Sequence, residues 1–228
     1  MVENLDAQAE TVRSARAMAG AKPVVVSPVT IRRRVNFHAA GDPPPTPSGE
    51  LPDSVDVRQS SLLGAAWTAG SLKYMSESGA SSVTYYETTG WRGVVERASG
   101  SELPEKFRSR GGESFPLYHP LADAAGWRGQ EVLDCHSTDP LATVGLAVRD
   151  GDGQVRLLVA NLTPRVRDVV VGPLAGTVAL RRLNEATAER AGAEPDAFRS
   201  ESERTEAADD LALRLDPYEV VRVDPADS

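Results

Sequence analysis

The sequence predicts two parts: an α/β segment over residues 1–130, built like the last βα units of a truncated (β/α)8 barrel of the TIM type, and an antiparallel β-sandwich over residues 131–228. Helix-like and strand-like stretches alternate up to about residue 130, which is the order of parallel βα units. Beyond that point, short strand-like runs are separated by turn residues. A chain of 228 residues is long enough for two such domains.

The elements of the first part follow from the spacing of apolar residues. We predict a helix over 3–19, a strand over 23–36, a helix over 58–79, a strand over 81–87 and a short helix in "YHPLADAAGW". The second of these helices repeats apolar residues at intervals of three and four, and the first strand is rich in β-branched residues. Two parallel strands do not make a buried sheet alone. We therefore expect the segment to be the end of a barrel whose earlier strands are missing.

The second part is predicted from seven short runs: "EVLDCHST", "ATVGLAV", "QVRLLVANLT", "RDVVV", "GTVALRRLN", "LALRLD" and "EVVRVD". Turn signals such as "DGDGQ" separate them, and little helix intervenes. The charged, alanine-rich stretch 185–210 is interpreted as a solvated loop with some helical turns.

Composition excludes several classes of partner. The formal net charge is −8, and the basic run Arg32–Arg34 is isolated, so we expect no nucleic-acid binding. No apolar run approaches the roughly 20 residues of a membrane span, and the first ten residues lack the pattern of a signal peptide. Cys135 is the single cysteine, which fits a reducing compartment. We expect a cytoplasmic protein that does not bind membranes.

The main candidate for chemistry is Glu87, at the end of the predicted second strand. In barrels of this type the chemistry lies in the loops after the strands. The loops 37–57 and 88–117 are far longer than the usual two to six residues. We predict that Glu87 is a catalytic carboxylate beside a pocket walled by Tyr85, Trp91 and Arg92. The alternative is that Glu87 caps the turn or pairs with Arg92 at the surface.

Three further residues are weaker candidates for substrate binding. Asn36 and His38 end the preceding strand and would face the same pocket as Glu87. An arginine on the inward face of that strand would need an anion or a carboxylate partner. His119 precedes a proline at a predicted helix start, and its alternative role is that of a packed linker residue. Three scattered histidines and one cysteine give no zinc-ligand spacing, and no cofactor-binding motif is present, so we expect neither metal nor cofactor.

Four strings carry a resemblance to a known family: "SPVTIRRRVNF", "RQSSLLGAAWTAGSLKYMSESGASSVTYYETTGWRGV", "FPLYHPLAD" and "LLVANLTP". In this order they resemble the D-apionate lactonase family of bacterial sugar-acid catabolism. The similarity covers most of residues 20–165 and is densest over 59–93. It implies an N-terminal β domain, a glycosidase-like barrel and a C-terminal β domain. This sequence begins in the later part of such a barrel.

The resemblance implies hydrolysis of a small sugar lactone, D-apionolactone, to D-apionate. Glu87 would be the base or would orient the water, while Arg92, Asn36 or His38 would hold the carbonyl oxygen or the ring hydroxyls. One alternative is a glycoside hydrolase, which usually needs a second carboxylate. Another is a non-catalytic remnant or sugar-binding module. Unpaired edges of an incomplete barrel would favour self-association.

Overall fold

The structure is a computed structural model, and it describes residues 1–33 and 45–226. The helices are α1 Leu5–Ala19, α2 Leu62–Glu77, α3 Tyr118–Gly126, α4 Glu185–Ala193 and α5 Pro195–Ser200. The strands are β1 Val25–Val29, β2 Ser82–Tyr85, β3 Glu131–Leu133, β4 Thr143–Arg149, β5 Val155–Asn161, β6 Arg167–Leu183, β7 Glu203–Leu215 and β8 Val220–Pro225. Within the described ranges, no helix is long and apolar enough to span a membrane.

The first part contains a pair of parallel strands, β1 and β2, as predicted. Both strands are shorter than the sequence indicates. The pairing register shifts between Val26 and Val29, around Pro28, which has no N–H to donate to the ladder. Residues 30–33 continue β1 as irregular backbone, and the end of the predicted strand lies outside the described residues.

Helix α2 is the centre of the molecule. The hydroxyl of Ser61 accepts a hydrogen bond from the Gly64 N–H at its start. The sequence predicts one apolar face, but α2 is buried on nearly all sides, as expected for a helix with apolar and small residues around its circumference. A Cβ on Gly70 would lie 2.8 Å from Leu5 Cδ1 and 3.6 Å from Val144 Cγ2. The helix is therefore packed tightly between α1 and β4.

The second part is an antiparallel β domain with strand order β3-β4-β5-β8-β6-β7. The sequence predicts seven short strands in this domain, but two of the predicted runs, "RDVVV" and "GTVALRRLN", belong to one long strand, β6. The register of β6 against β7 shifts between Val171 and Leu174, so the strand continues past a local irregularity instead of ending there.

Along β4 and β5 both faces of this sheet are buried, whereas β6 and β7 expose outward side chains such as Val170. One face contributes to a core shared with the first part, in which Val144, Leu146, Leu158 and Val220 lie with apolar residues of α1 and α2. The other face packs inside the β domain, where side chains of β4, β5, β8 and β6 meet those of β7. The two parts of the chain thus fold around a common apolar cluster.

The charged stretch 185–210 is not a loop. It forms α4, α5 and the first half of β7. Helix α4 begins at Asn184, whose side chain accepts from the Ala186 N–H. Ala191 and Phe198 are buried, at 1% and 4% exposure, against the first part of the chain. Most of the stretch is exposed, as expected, but the prediction of a loop was wrong because these few apolar residues fix the helices on their neighbours.

Candidate functional site

The candidate site lies where β1 and β2 end, because the segments that follow parallel strands lie at the same edge of a sheet. Two hydrogen bonds join these segments. Arg92 Nη1 donates to Ser54 Oγ over 3.2 Å, and the buried Gln59 donates through Nε2 to the Gly93 carbonyl over 2.7 Å. The loop after β1 and the loop after β2 therefore form one continuous surface.

Glu87 and Arg92 form an ion pair on this surface. Glu87 Oε1 lies 3.2 Å from Arg92 Nε, and the two side chains are 43% and 41% exposed. The backbone supports the same pairing, since the Glu87 N–H donates to the Arg92 carbonyl over 2.9 Å. The pairing of Glu87 with Arg92, raised from sequence as the alternative to catalysis, is present, and both side chains are partly exposed.

The glycines around Trp91 and Arg92 set the shape of this turn. Gly90 has φ +81°, a conformation that side chains other than glycine rarely adopt. A Cβ on Gly93 would lie 2.6 Å from the Thr89 backbone. The turn closes through Gly93 N–H donating to the Gly90 carbonyl over 2.7 Å. The glycines allow the chain to fold back so that Arg92 meets Glu87.

Tyr85 does not line a pocket beside Glu87. Its hydroxyl lies 2.9 Å from Ser71 Oγ on α2, and burial raises the pKa of its phenol, an effect opposed by that hydrogen bond. Tyr86 adopts φ +52°, so the alternation of side chains along β2 ends before Glu87. The predicted pocket wall is therefore wrong for Tyr85, whose hydroxyl contacts α2 instead.

Trp91 is held inside the loop. Its indole N–H donates to Ser101 Oγ over 2.9 Å, and its ring centroid is 6.3 Å from that of Phe107. The ring is partly exposed. Its role as a wall for substrate stays a prediction, while its contacts show that it also orders the loop 88–117.

A second ionic group, which the sequence analysis did not identify, lies next to this surface. Asp56 is 4% exposed and accepts from the Arg58 guanidinium and backbone N–H. Arg32 Nε lies 3.6 Å from Asp56 Oδ2, so this arginine has a carboxylate partner. Burial would raise the pKa of Asp56, but the bonds to Arg58 outweigh it and the pKa is lowered. The spacing Asp-x-Arg before a helix was the available signal.

His119 does not fit the predicted role in substrate binding, because only 2% of it is exposed. Nε2 lies 3.2 Å from the Ala191 carbonyl, and the ring contacts Phe198 edge to face at 4.7 Å. Burial, together with nearby Arg181 and Arg199, lowers the pKa of His119 to about 4. It is a neutral residue of α3 packed against α4 and α5.

Asn36 and His38 lie outside the described residues, and their predicted roles stay predictions. Among the residues that the structure describes, no group of three or more His, Cys, Asp or Glu could hold a metal ion. The structure brings together Glu87, Arg92 and Ser54. A carboxylate can take a proton from water, and an adjacent guanidinium can bind a developing negative charge.

Family models match both parts of the chain. The model for the TIM barrel domain of D-apionate lactonase matches residues 1–129, and the model for the C-terminal immunoglobulin-like domain of D-apionate lactonase matches residues 140–223. No curated protein sequence matches the chain.

Solved structures share the fold at low sequence identity. A GH51 α-L-arabinofuranosidase from Thermotoga petrophila RKU-1 aligns with TM-score 0.57 and 11% identity over 99% of this chain and 48% of that chain. A 4-O-α-L-rhamnosyl-β-D-glucuronidase from Fusarium oxysporum 12S gives 0.54 and 16% identity over 99% and 50%. A conserved exported protein from Bacteroides fragilis gives 0.58 and 11% identity over 98% and 43%. The chain spans half or less of the length of these structures.

These likenesses show a glycosidase-like TIM-barrel fold followed by an antiparallel β domain, and no more than the fold. The family models cover nearly the whole chain, in the same order as the two structural parts. The chain belongs to the D-apionate lactonase family.

Proposed function

We propose that the protein hydrolyses a sugar-acid lactone, with D-apionolactone as substrate and D-apionate as product, in the cytoplasm. Membership of the family supports this reaction class. The observation that supports a specific site for this reaction is the Glu87–Arg92 pair. Its carboxylate and guanidinium lie side by side after β2, and both are partly exposed. The glycoside hydrolases among the solved structures support the fold alone, so glycosidase activity enters as an outcome of the test.

The chemistry needs a base and a partner for the oxyanion. Glu87 takes a proton from water while the water oxygen bonds to the lactone carbonyl carbon. The carbonyl electrons move to oxygen, and Arg92 binds the charge with its guanidinium. The tetrahedral intermediate then collapses, the ring C–O bond breaks, and the proton on Glu87 passes to the leaving ring oxygen. Ser54, which accepts from Arg92, orients the guanidinium.

The test measures acid release from D-apionolactone, with a panel of chromogenic glycosides alongside. It uses the chain and, where the gene encodes a longer polypeptide, that polypeptide. Glu87→Gln should reduce kcat at least about 100-fold because the carboxylate can no longer accept a proton. Glu105→Gln, in an exposed position of the same loop, is the matched control and should retain activity.

Lactone hydrolysis at the wild-type rate in Glu87→Gln would remove Glu87 from the mechanism. Cleavage of a glycoside without turnover of the lactone would replace the proposed function with a glycosidase. Turnover of neither substrate by the longest polypeptide would favour a non-catalytic, sugar-binding role.

A further inference from the structure

A groove of about 510 Å³ runs between the loop after β2 and helix α4 of the β domain. The loop contributes Arg108, Ser109 and Arg110, and the helix contributes Glu189 and Gly192. None of the residues that line it belongs to the group of Glu87, Arg92 and Ser54. Both parts of the chain are therefore needed to form this groove.

The two walls are fixed to each other. The Ser114 N–H donates to the Gly192 carbonyl over 3.0 Å. A Cβ on Gly192 would lie 3.1 Å from the Ser114 carbonyl oxygen, which is closer than most side chains tolerate. Arg110 Nη2 lies 2.6 Å from Glu189 Oε1 across the junction. These contacts join the two walls of the groove at the junction between the two parts.

A buried carboxylate orients one of the lining hydroxyls. Glu96 is 2% exposed and accepts hydrogen bonds from the Ser109 hydroxyl and the Arg97 N–H. The Ser109 hydroxyl proton is therefore committed to Glu96, and its oxygen lone pairs are directed elsewhere. A ligand in the groove would meet Ser109 as a hydrogen-bond acceptor.

The other lining groups define the chemistry of a ligand. Arg108 is exposed and has no ion-pair partner among the described residues, so it offers several donors. The lining holds two arginines, Arg108 and Arg110, and two glutamates, Glu113 and Glu189. This balance of charge disfavours a polyanion. The lining thus offers hydrogen-bond donors and acceptors, and Pro104 and Pro116 add small apolar surfaces between them. Such a lining suits a ligand with many hydroxyls and small apolar faces.

We propose that this groove binds a polyhydroxylated sugar, and that α4 of the β domain completes the binding surface. The loop that carries Trp91 and Arg92 continues into one wall of the groove. The proposal is independent of the lactonase reaction, because it rests on residues that the proposed mechanism does not use.

The test is saturation-transfer NMR and calorimetry on the full chain with three probes: xylotriose, D-gluconate and inorganic phosphate. Saturable binding of xylotriose, D-gluconate or both is expected, and the pair of sugar probes distinguishes a neutral saccharide from a sugar acid. Arg108→Ala should raise Kd about tenfold, which is about 1.4 kcal/mol, because the variant loses the charged hydrogen-bond donors. Arg128→Ala, another exposed arginine but outside the groove, should leave Kd unchanged.

Ser109→Ala should weaken binding as well, with the thermal unfolding midpoint recorded because Glu96 loses a partner. Arg108 has no ion-pair partner among the described residues, so Arg108→Ala should fold normally. If Ser109→Ala does not fold, Arg108→Ala therefore tests whether the groove binds the sugar. Glu87→Gln should bind the sugar probes as tightly as the unmodified chain, whatever its activity. Binding of phosphate alone, binding of no probe, or an unchanged Kd in Arg108→Ala would overturn the proposal.

Discussion

Replacing Asp123 by asparagine should destabilise the whole chain. Asp123 is a carboxylate on α3 with 2% exposure, and three arginines of the β domain donate to it. Arg181 Nη2 lies 2.6 Å from both carboxylate oxygens. Arg222 Nη1 and Arg199 Nη1 lie 2.7 and 2.9 Å from Oδ1. The asparagine keeps the shape of the side chain but leaves three cations around a neutral group.

Removing one partner of a buried ion pair costs about 3–5 kcal/mol. Two features of the structure place this substitution at the low end, about 3 kcal/mol. Arg199 and Arg222 are still 22% and 20% exposed, so water screens them in part. Arg222 also keeps Asp224 as a partner. For a chain of this length the unfolding midpoint should fall by about 6–12 °C.

The assays are thermal unfolding and urea unfolding at 25 °C, both followed by fluorescence and circular dichroism, with Asp134→Asn as an exposed control. The difference between Asp123→Asn and the unmodified chain should also depend on pH. Burial would raise the pKa of Asp123, but the arginines outweigh it and the pKa is lowered. The carboxylate therefore stabilises the fold above its unfolded pKa of about 3.9, and this contribution is lost as pH falls through the folded value. A loss of stability below about 1 kcal/mol at pH 7 would refute the view that the cluster joins the two parts.

His119 has a folded pKa of about 4 against about 6.5 when unfolded. The unfolded chain therefore binds the extra proton, and the free energy of unfolding falls as pH drops from 6.5 to 4. His119→Gln should flatten this slope in denaturation curves. Gly93→Ala should lower the free energy of unfolding by about 1–3 kcal/mol, because the added Cβ would clash with the Thr89 backbone. Gly151→Ala, whose Cβ would have no neighbour within 4 Å, should leave it nearly unchanged in the same urea assay. The chain should self-associate through the β1–β2 edge, where Val25 is 62% exposed, so light scattering that gives a stable monomer of 24.3 kDa would contradict it.

Local patterns in the sequence predicted the parallel strand pair, the long helix and an antiparallel β domain. Strands follow from apolar residues at every second position, and helices from apolar residues three or four positions apart. Both patterns depend only on residues that are close in the sequence. The position of Glu87 after a strand was predictable for the same reason. Its pairing with Arg92 depends on a turn with two glycines and was the alternative role predicted for Glu87.

Contacts between distant segments were not predictable in this way. Helices α4 and α5 come from a stretch whose composition is polar, and only Ala191 and Phe198 reveal their buried side once their partners are known. The left-handed backbone of Tyr86 ends the alternation of side chains between Tyr85 and Glu87, and nothing in a tyrosine pair signals it. Asp123 and its three arginines are separated by 58 to 99 positions, too far for any spacing argument.

The common apolar cluster has a consequence for the evolution and engineering of this family. A β domain taken from another member cannot be exchanged as an independent module, because Val144, Leu158 and Val220 on one face of its sheet would meet a foreign α2. Substitutions on that face must instead co-vary with substitutions on the helix. Recombination of genes within the family should therefore be tolerated when its crossover points keep α2 and the sheet together.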